Sequence, residues 1–421
     1  MQTIERLLLP IAEKLSTNRY LKAIRDGFIS IMPIVISGSL FTLINSVFLG
    51  DGKYFDQWFG LPLNSIVSVG STITSAAMSM MALLLVFNTA KVLAKEYKMD
   101  TSIVASVAVV CFLILTPFVF DGDMGIEYIN TYYTGAAGMF TAFISGIVTV
   151  ELMNFLMKFK ALIIKMPDSV PTGIARSFNS IIPVLLTIIV FGILRAVTDG
   201  LGAPLNDLIF TWIQTPFTNI VSSPVGLFII YLLYMLLWGL GIHSAYIFNP
   251  ILEPIYLASL TLNADAILSG SSATQVITKP FLDSVAFMGG AGNMLALVIA
   301  IFIVSKREDY KSIGKLGLVP GLFNISEPVM FGLPVVMNPI LIIPMVITTL
   351  MGIGIGVLAT QIGIMAHTYV VIPWTTPPVL SAFLATGGDI MSAIVALVIF
   401  VVSILIYIPF VRVMNAQTNE Q

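Results

Sequence analysis

Ten stretches of about twenty residues carry almost no charge, near 28–49, 72–93, 102–120, 134–157, 178–198, 225–242, 245–262, 285–305, 339–359 and 389–412. A helix of that length, rising 1.5 Å per residue, crosses about 30 Å of hydrocarbon with its backbone polar groups paired internally. The pattern predicts an all-α polytopic membrane protein. Of 421 residues, 57% are hydrophobic and 10% charged, where soluble domains carry about 25% charged residues. A net charge of -2 leaves no basic excess for nucleic acid. The first long apolar run begins near Phe28 behind several charges, with no small-residue cleavage pattern after it, so no cleaved leader is expected.

Charge placement sets the expected topology. Arg6, Lys14, Arg19, Lys22 and Arg25 precede the first span; Lys91, Lys95 and Lys98 follow the second; Lys158, Lys160 and Lys165 follow the fourth. Asp51 and Asp56, then Asp121, Asp123 and Glu127, mark the opposite side. The positive-inside rule makes both termini cytoplasmic. Ile4, Leu7, Leu8, Ile11 and Leu15 form an amphipathic N-terminal helix, and Leu205, Leu208, Ile209, Trp212 and Ile213 form another. The second divides a five-span half, 1–198, from a C-terminal half, 225–421, across a connector at 199–224. Parity then requires re-entrant hairpins near 318–336 and 362–382, giving ten spans and two hairpins.

The first hairpin holds the strongest functional signal. Glu327 lies in Phe-Asn-Ile-Ser-Glu-Pro-Val-Met-Phe-Gly-Leu-Pro-Val-Val-Met-Asn-Pro, residues 323–339. A charge at bilayer depth costs at least about 2.5 to 3.5 kcal/mol, so it faces protein or a wet cavity. Broken backbone of this kind is tolerated at depth in the same places. Glu253 and Asp283 are weaker candidates, the latter expected at a membrane boundary. His243, in Trp-Gly-Leu-Gly-Ile-His-Ser at 238–244, and His367 adjoin interrupted segments, where imidazole suits hydroxyl binding or proton transfer. Trp374 is either an interfacial anchor or a platform for a sugar face. Gly289, Gly290 and Gly292 serve either close helix packing or backbone exposure to a polar ligand. Two histidines and one cysteine, Cys111 within an apolar run, leave too few ligands for a metal. No cofactor is expected.

Asn-Arg-Tyr-Leu-Lys-Ala-Ile-Arg-Asp-Gly-Phe at 18–28, Lys-Met-Pro-Asp-Ser-Val-Pro at 165–171, Gly-Ile-His at 241–243, Asn-Ile-Ser-Glu-Pro at 324–328 and Val-Ile-Pro-Trp-Thr-Thr-Pro-Pro at 371–378 resemble the lactose/cellobiose family of phosphotransferase-system (PTS) enzyme II C components. The resemblance implies a permease, a homodimer in a bacterial inner membrane, with the first half at the dimer interface and the second holding a disaccharide. It implies that Glu327 binds the hydroxyl to be phosphorylated, with His243 beside it; Asn324, Gly289, Gly290 and Trp374 are the further candidates for contact with the sugar. The phosphoryl donor is then a phosphocysteine on a separate B component. The alternative on the residues alone is a proton-coupled sugar transporter using Glu327 as carrier.

Overall fold

The computed structural model describes residues 10, 14–15, 17–49, 55, 59–60, 63–122, 125–164, 166–167, 170–333 and 335–416. Helices dominate: α1 (Arg19–Ile44), α2 (Asn64–Ser79), α3 (Met81–Glu96), α4 (Thr101–Leu115), α5 (Met139–Leu156), α6 (Thr172–Gly200), α7 (Leu205–Ser222, with a π turn at Phe210–Gln214), α8 (Pro224–Gly239), α9 (Ala245–Leu268), α10 (Lys279–Val285), α11 (Met294–Val304), α12 (Glu308–Leu322), α13 (Glu327–Gly332), α14 (Pro339–Gln361), α15 (Leu380–Ala385) and α16 (Ile390–Ala416). The amphipathic segment expected at 4–15 lies, apart from residues 10, 14 and 15, outside the described residues.

Among the described residues, six helices are long and apolar enough to cross a membrane, and eight if the bent pairs α2–α3 and α7–α8 each count as one span. The remaining two predicted spans are shorter. α4 has 15 residues, about 22 Å at 1.5 Å per residue, and α11 has 11. The run expected to reach 120 stops at Leu115 because Pro117 holds Thr116 extended, at φ -82° and ψ 129°. Beyond it lies an antiparallel hairpin that pairs β1 (Phe118–Asp121) with β2 (Ile126–Ile129), Phe118 opposite Ile129. The span expected at 285–305 is broken by Gly289, Gly290 and Gly292, whose φ angles of 84°, 89° and 74° no helix accommodates. Both stretches expected to be interrupted, 318–336 and 362–382, are.

Local chemistry accounts for many of the ends. Asp100 caps α4 by accepting from the Ser102 and Ile103 amides at 3.1 Å each, and Ser223 caps α8 by accepting from Gly226 N at 3.0 Å with Pro224 following. Asn338 caps α14 in the same way ahead of Pro339. Pro33, Pro183, Pro250, Pro254, Pro344 and Pro409 sit inside long helices, as spanning helices tolerate.

The chain folds as two compact units, one of residues 14–35 and 75–219, the other of 1–13, 36–74 and 220–421. In the first, α3, α4 and α5 pack around Leu85, Leu93, Phe112 and Met139, all fully buried. Gly146 lets α5 approach the Val86 carbonyl, the close approach that small residues permit between membrane helices. In the second, α14 and α16 pack on the elements that carry the glycine turn. Asn293 ties that turn down: its Oδ1 accepts from Met288 N at 2.8 Å, and its Nδ2 donates to Ser403 Oγ at 3.1 Å. Tyr407 donates its hydroxyl to the Gly292 carbonyl at 2.5 Å.

Candidate functional site

Two helices end in the same way just before the two strongest candidates. At the end of α8, Gly241 adopts φ 80°, its N–H bonds Trp238 O at 2.9 Å, and Ile242 N–H bonds Leu237 O at 2.9 Å. This is a Schellman stop with glycine in its left-handed position. At the end of α12, Asn324 takes that position at φ 61°, with Asn324 N–H to Gly321 O at 3.1 Å and Ile325 N–H to Pro320 O at 3.0 Å. His243 follows the first stop and Glu327 the second.

The two side chains meet. His243 Nε2 lies 3.8 Å from Glu327 Oε1, and the side chains are 36% and 45% exposed, so the pair faces open space rather than a sealed ion pair. At 3.8 Å the groups do not hydrogen-bond to each other, since such bonds end near about 3.2 Å. A hydroxyl oxygen about 2.8 Å from both completes a triangle on that edge. The imidazole is held between Trp238, centroid 4.4 Å away, and Tyr246, stacked at 4.3 Å. Burial pulls its pKa below the ordinary value and the Glu327 charge opposes that. His243 is thus a neutral donor or acceptor near pH 7, and its Nδ1 has no partner among the described residues.

Asn324 is a brace. Its Nδ2 donates to Trp374 O at 2.7 Å and Thr376 O at 2.9 Å, and its Oδ1 accepts from Gly289 N at 2.8 Å. Both its N–H donors and an oxygen lone pair are used, at 7% exposure. One carboxamide thereby joins the glycine turn, the loop before Glu327 and the 371–378 loop. Gly290 packs against the same loop: a Cβ there would fall 2.6 Å from Ser326 Cβ and 2.7 Å from Asn324 O. A Cβ on Gly289 would meet Leu295 N at 2.4 Å. Close approach therefore accounts for both glycines. The Trp374 side is tied through its carbonyl, and the residue is 53% exposed.

His367 takes no part in the His243–Glu327 pair. Its neighbour Thr368 is anchored instead, its carbonyl accepting from Asn263 Nδ2 at 2.8 Å and its hydroxyl lying 2.5 Å from that of Thr278. Asp283, expected at a membrane boundary, is buried, with its carboxylate 2.5 and 2.7 Å from Lys279 Nζ. Glu253 accepts from Asn249 Nδ2 at 3.0 Å. Sequence reasoning passed over Lys279, although its i,i+4 spacing to Asp283 signals a pair. It also passed over Trp238, five residues before His243. Among the described residues, no three His, Cys, Asp or Glu side chains converge as metal ligands.

Comparison with known proteins places this architecture. A family model described as "Phosphotransferase system, EIIC" matches residues 25–349. The oligo-beta-mannoside-specific EIIC component of Bacillus subtilis (strain 168) is 34% identical over 434 residues, spanning 100% of this chain and 96% of that protein. The lactose-specific EIICB component of Staphylococcus epidermidis is 31% identical over 98% of this chain and 70% of its own length. Among solved structures, the crystal structure of ChbC, the IIC component of an N,N'-diacetylchitobiose-specific phosphotransferase system, matches with TM-score 0.90 and 33% identity over 99% of this chain and 98% of that one.

Proposed function

The chain belongs to the phosphotransferase-system EIIC family, and from that premise we propose that Glu327 and His243 hold the sugar hydroxyl that receives phosphate. The observation that carries this is the 3.8 Å edge between His243 Nε2 and Glu327 Oε1, open to a ligand. In this reading the hydroxyl accepts from Nε2–H and donates to the Glu327 carboxylate. As the phosphoryl group arrives, the hydroxyl oxygen forms the new P–O bond, its proton passes to Glu327, and the P–S bond of a phosphocysteine on the B component breaks to release thiolate. Asn324, Gly289, Gly290 and Trp374 belong to the sugar-binding set of the same proposal, Asn324 and the two glycines also holding the loops in place through the bonds and close approaches already described.

The B component is proposed as a separate cytoplasmic protein. The Staphylococcus epidermidis relative is called an EIICB component. Cys111 in this chain is buried in α4. A β-linked disaccharide is the proposed substrate, because the relatives are named for oligo-beta-mannoside, lactose and diacetylchitobiose. The homodimer, the assignment of 1–198 to its interface and 225–421 to sugar, and cytoplasmic termini in a bacterial inner membrane belong to the same proposal. An EIIC permease couples uptake to phosphoryl transfer, so the proton-carrier alternative loses its support.

The test uses purified protein in vesicles with a phosphorylated B protein and a panel of β-disaccharides. Glu327→Gln should lower sugar phosphorylation by at least about 100-fold, the range expected for a lost general base, while sugar binding falls far less. Undiminished phosphorylation by that variant would sink the catalytic assignment.

A further inference from the structure

Within the unit formed by residues 14–35 and 75–219, a cavity of about 310 Å³ opens where four helix ends meet. Lys98, Met99 and Asp100 come from the α3–α4 turn, Met153 and Met157 from the end of α5, and Arg176, Asn179 and Ser180 from the start of α6. α5 and α6 lie within the candidate membrane-crossing segments Ala136–Leu156 and Gly173–Gly200, so their ends place the cavity at the edge of the hydrocarbon layer. Met153 and Val104 are buried and form an apolar floor, whereas Lys98 and Arg176 are exposed at the rim.

Lys98 and Arg176 set two cations on the cavity, and among the described residues neither forms an ion pair. Lys98 also occupies the left-handed position of a Schellman stop, at φ 56°, with its N–H on Lys95 O at 3.1 Å and Met99 N–H on Ala94 O at 3.0 Å. Glycine is the unstrained choice there, so lysine carries a backbone cost at this position. Asp100 also lines the cavity, but its carboxylate is turned onto the Ser102 and Ile103 amides.

We propose that this cavity binds the phosphate of an anionic phospholipid headgroup between Lys98 and Arg176, with the glycerol and the first acyl carbons on the methionine floor. Basic pockets between membrane helices take such headgroups, because a phosphate diester offers charge to the rim while its chains remain in the bilayer. Asn179 and Ser180 also line the cavity, the Ser180 hydroxyl donating to Ser177 O at 2.8 Å. The proposal rests on the chain being a membrane protein and is independent of the roles of Glu327 and His243.

The test is native mass spectrometry of the detergent-purified full chain titrated with phosphatidylglycerol or phosphatidylcholine. Wild type should prefer phosphatidylglycerol, and Lys98→Gln and Arg176→Gln should each weaken that binding roughly fivefold. Lys160→Gln, outside the cavity, should not, and Lys98→Arg should restore most of it. Equal binding of the two lipids, or undiminished phosphatidylglycerol binding by both Gln variants with their thermal unfolding unchanged, would overturn the proposal. Displacement of the lipid by inorganic phosphate would also overturn it, by showing a site for free anion. So would loss of phosphorylated B-protein binding in the Gln variants while lipid binding persists.

Discussion

His243 and Glu327, carried on separate segments of the chain, place Nε2 and Oε1 3.8 Å apart with both side chains partly open. The separation is too long for a direct hydrogen bond and short enough for one oxygen to bridge.

The pH dependence should follow His243. Burial lowers its pKa below the unfolded value of about 6.5, against the opposing Glu327 charge. As pH falls through that window the unfolded chain takes up a proton before the folded one, so this residue makes stability rise with pH there. His243→Gln should flatten that dependence in thermal unfolding scans from pH 5 to 7.5. The variant should also lose most of its sugar phosphorylation.

Asn324 should prove a positioning residue. Asn324→Ala removes three bonds, leaves the Gly289 amide unpaired and puts alanine at φ 61°, a loss of about 2–4 kcal/mol. Asn324→Gly relieves the backbone strain while still losing the bonds. If kcat falls alike in both while only alanine carries the extra thermal destabilisation, the carboxamide acts by holding the loops. A glycine variant with wild-type kcat would refute this.

Breaking the Lys279–Asp283 pair should cost more than removing it. Asp283 is 8% exposed in its side chain and Lys279 22%, so Asp283→Asn strands a mostly buried ammonium, a loss of about 3 kcal/mol. The double variant Lys279→Met with Asp283→Leu should recover much of that. Thermal unfolding of both singles and the double gives the coupling directly, and additive losses would mean the pair does not interact.

Cys111→Ala should leave sugar phosphorylation by a phosphorylated B protein within about twofold. The thiol is buried among α4 side chains, and its loss removes only a small buried group. Loss of activity with an intact fold would place a phosphoryl carrier on this chain.

Glu327 was legible because a carboxylate amid apolar residues and prolines has few physical excuses, and His243 because it adjoins an interrupted segment. The hairpin at 118–129 was missed, although Phe-Val-Phe-Asp-Gly carries both alternation and a turn signal. Gly289, Gly290 and Gly292 raised two possibilities, and only the positions of Leu295, Ser326 and Met345 against them established close approach. Asn324 looked like a ligand group in a motif. Only its partners, Gly289, Trp374 and Thr376, show that its bonds are spent on backbone.

The sequence by itself determined that the chain is helical, roughly where its long apolar segments lie, and which carboxylate is out of place in lipid, because hydropathy acts over a few residues. Which side chains face one another was decided by tertiary structure alone. His243 against Glu327, and Asn324 against the carbonyls of Trp374 and Thr376, depend on how far-separated segments close on each other. That closure is set by packing summed over many helices, and no local periodicity records it.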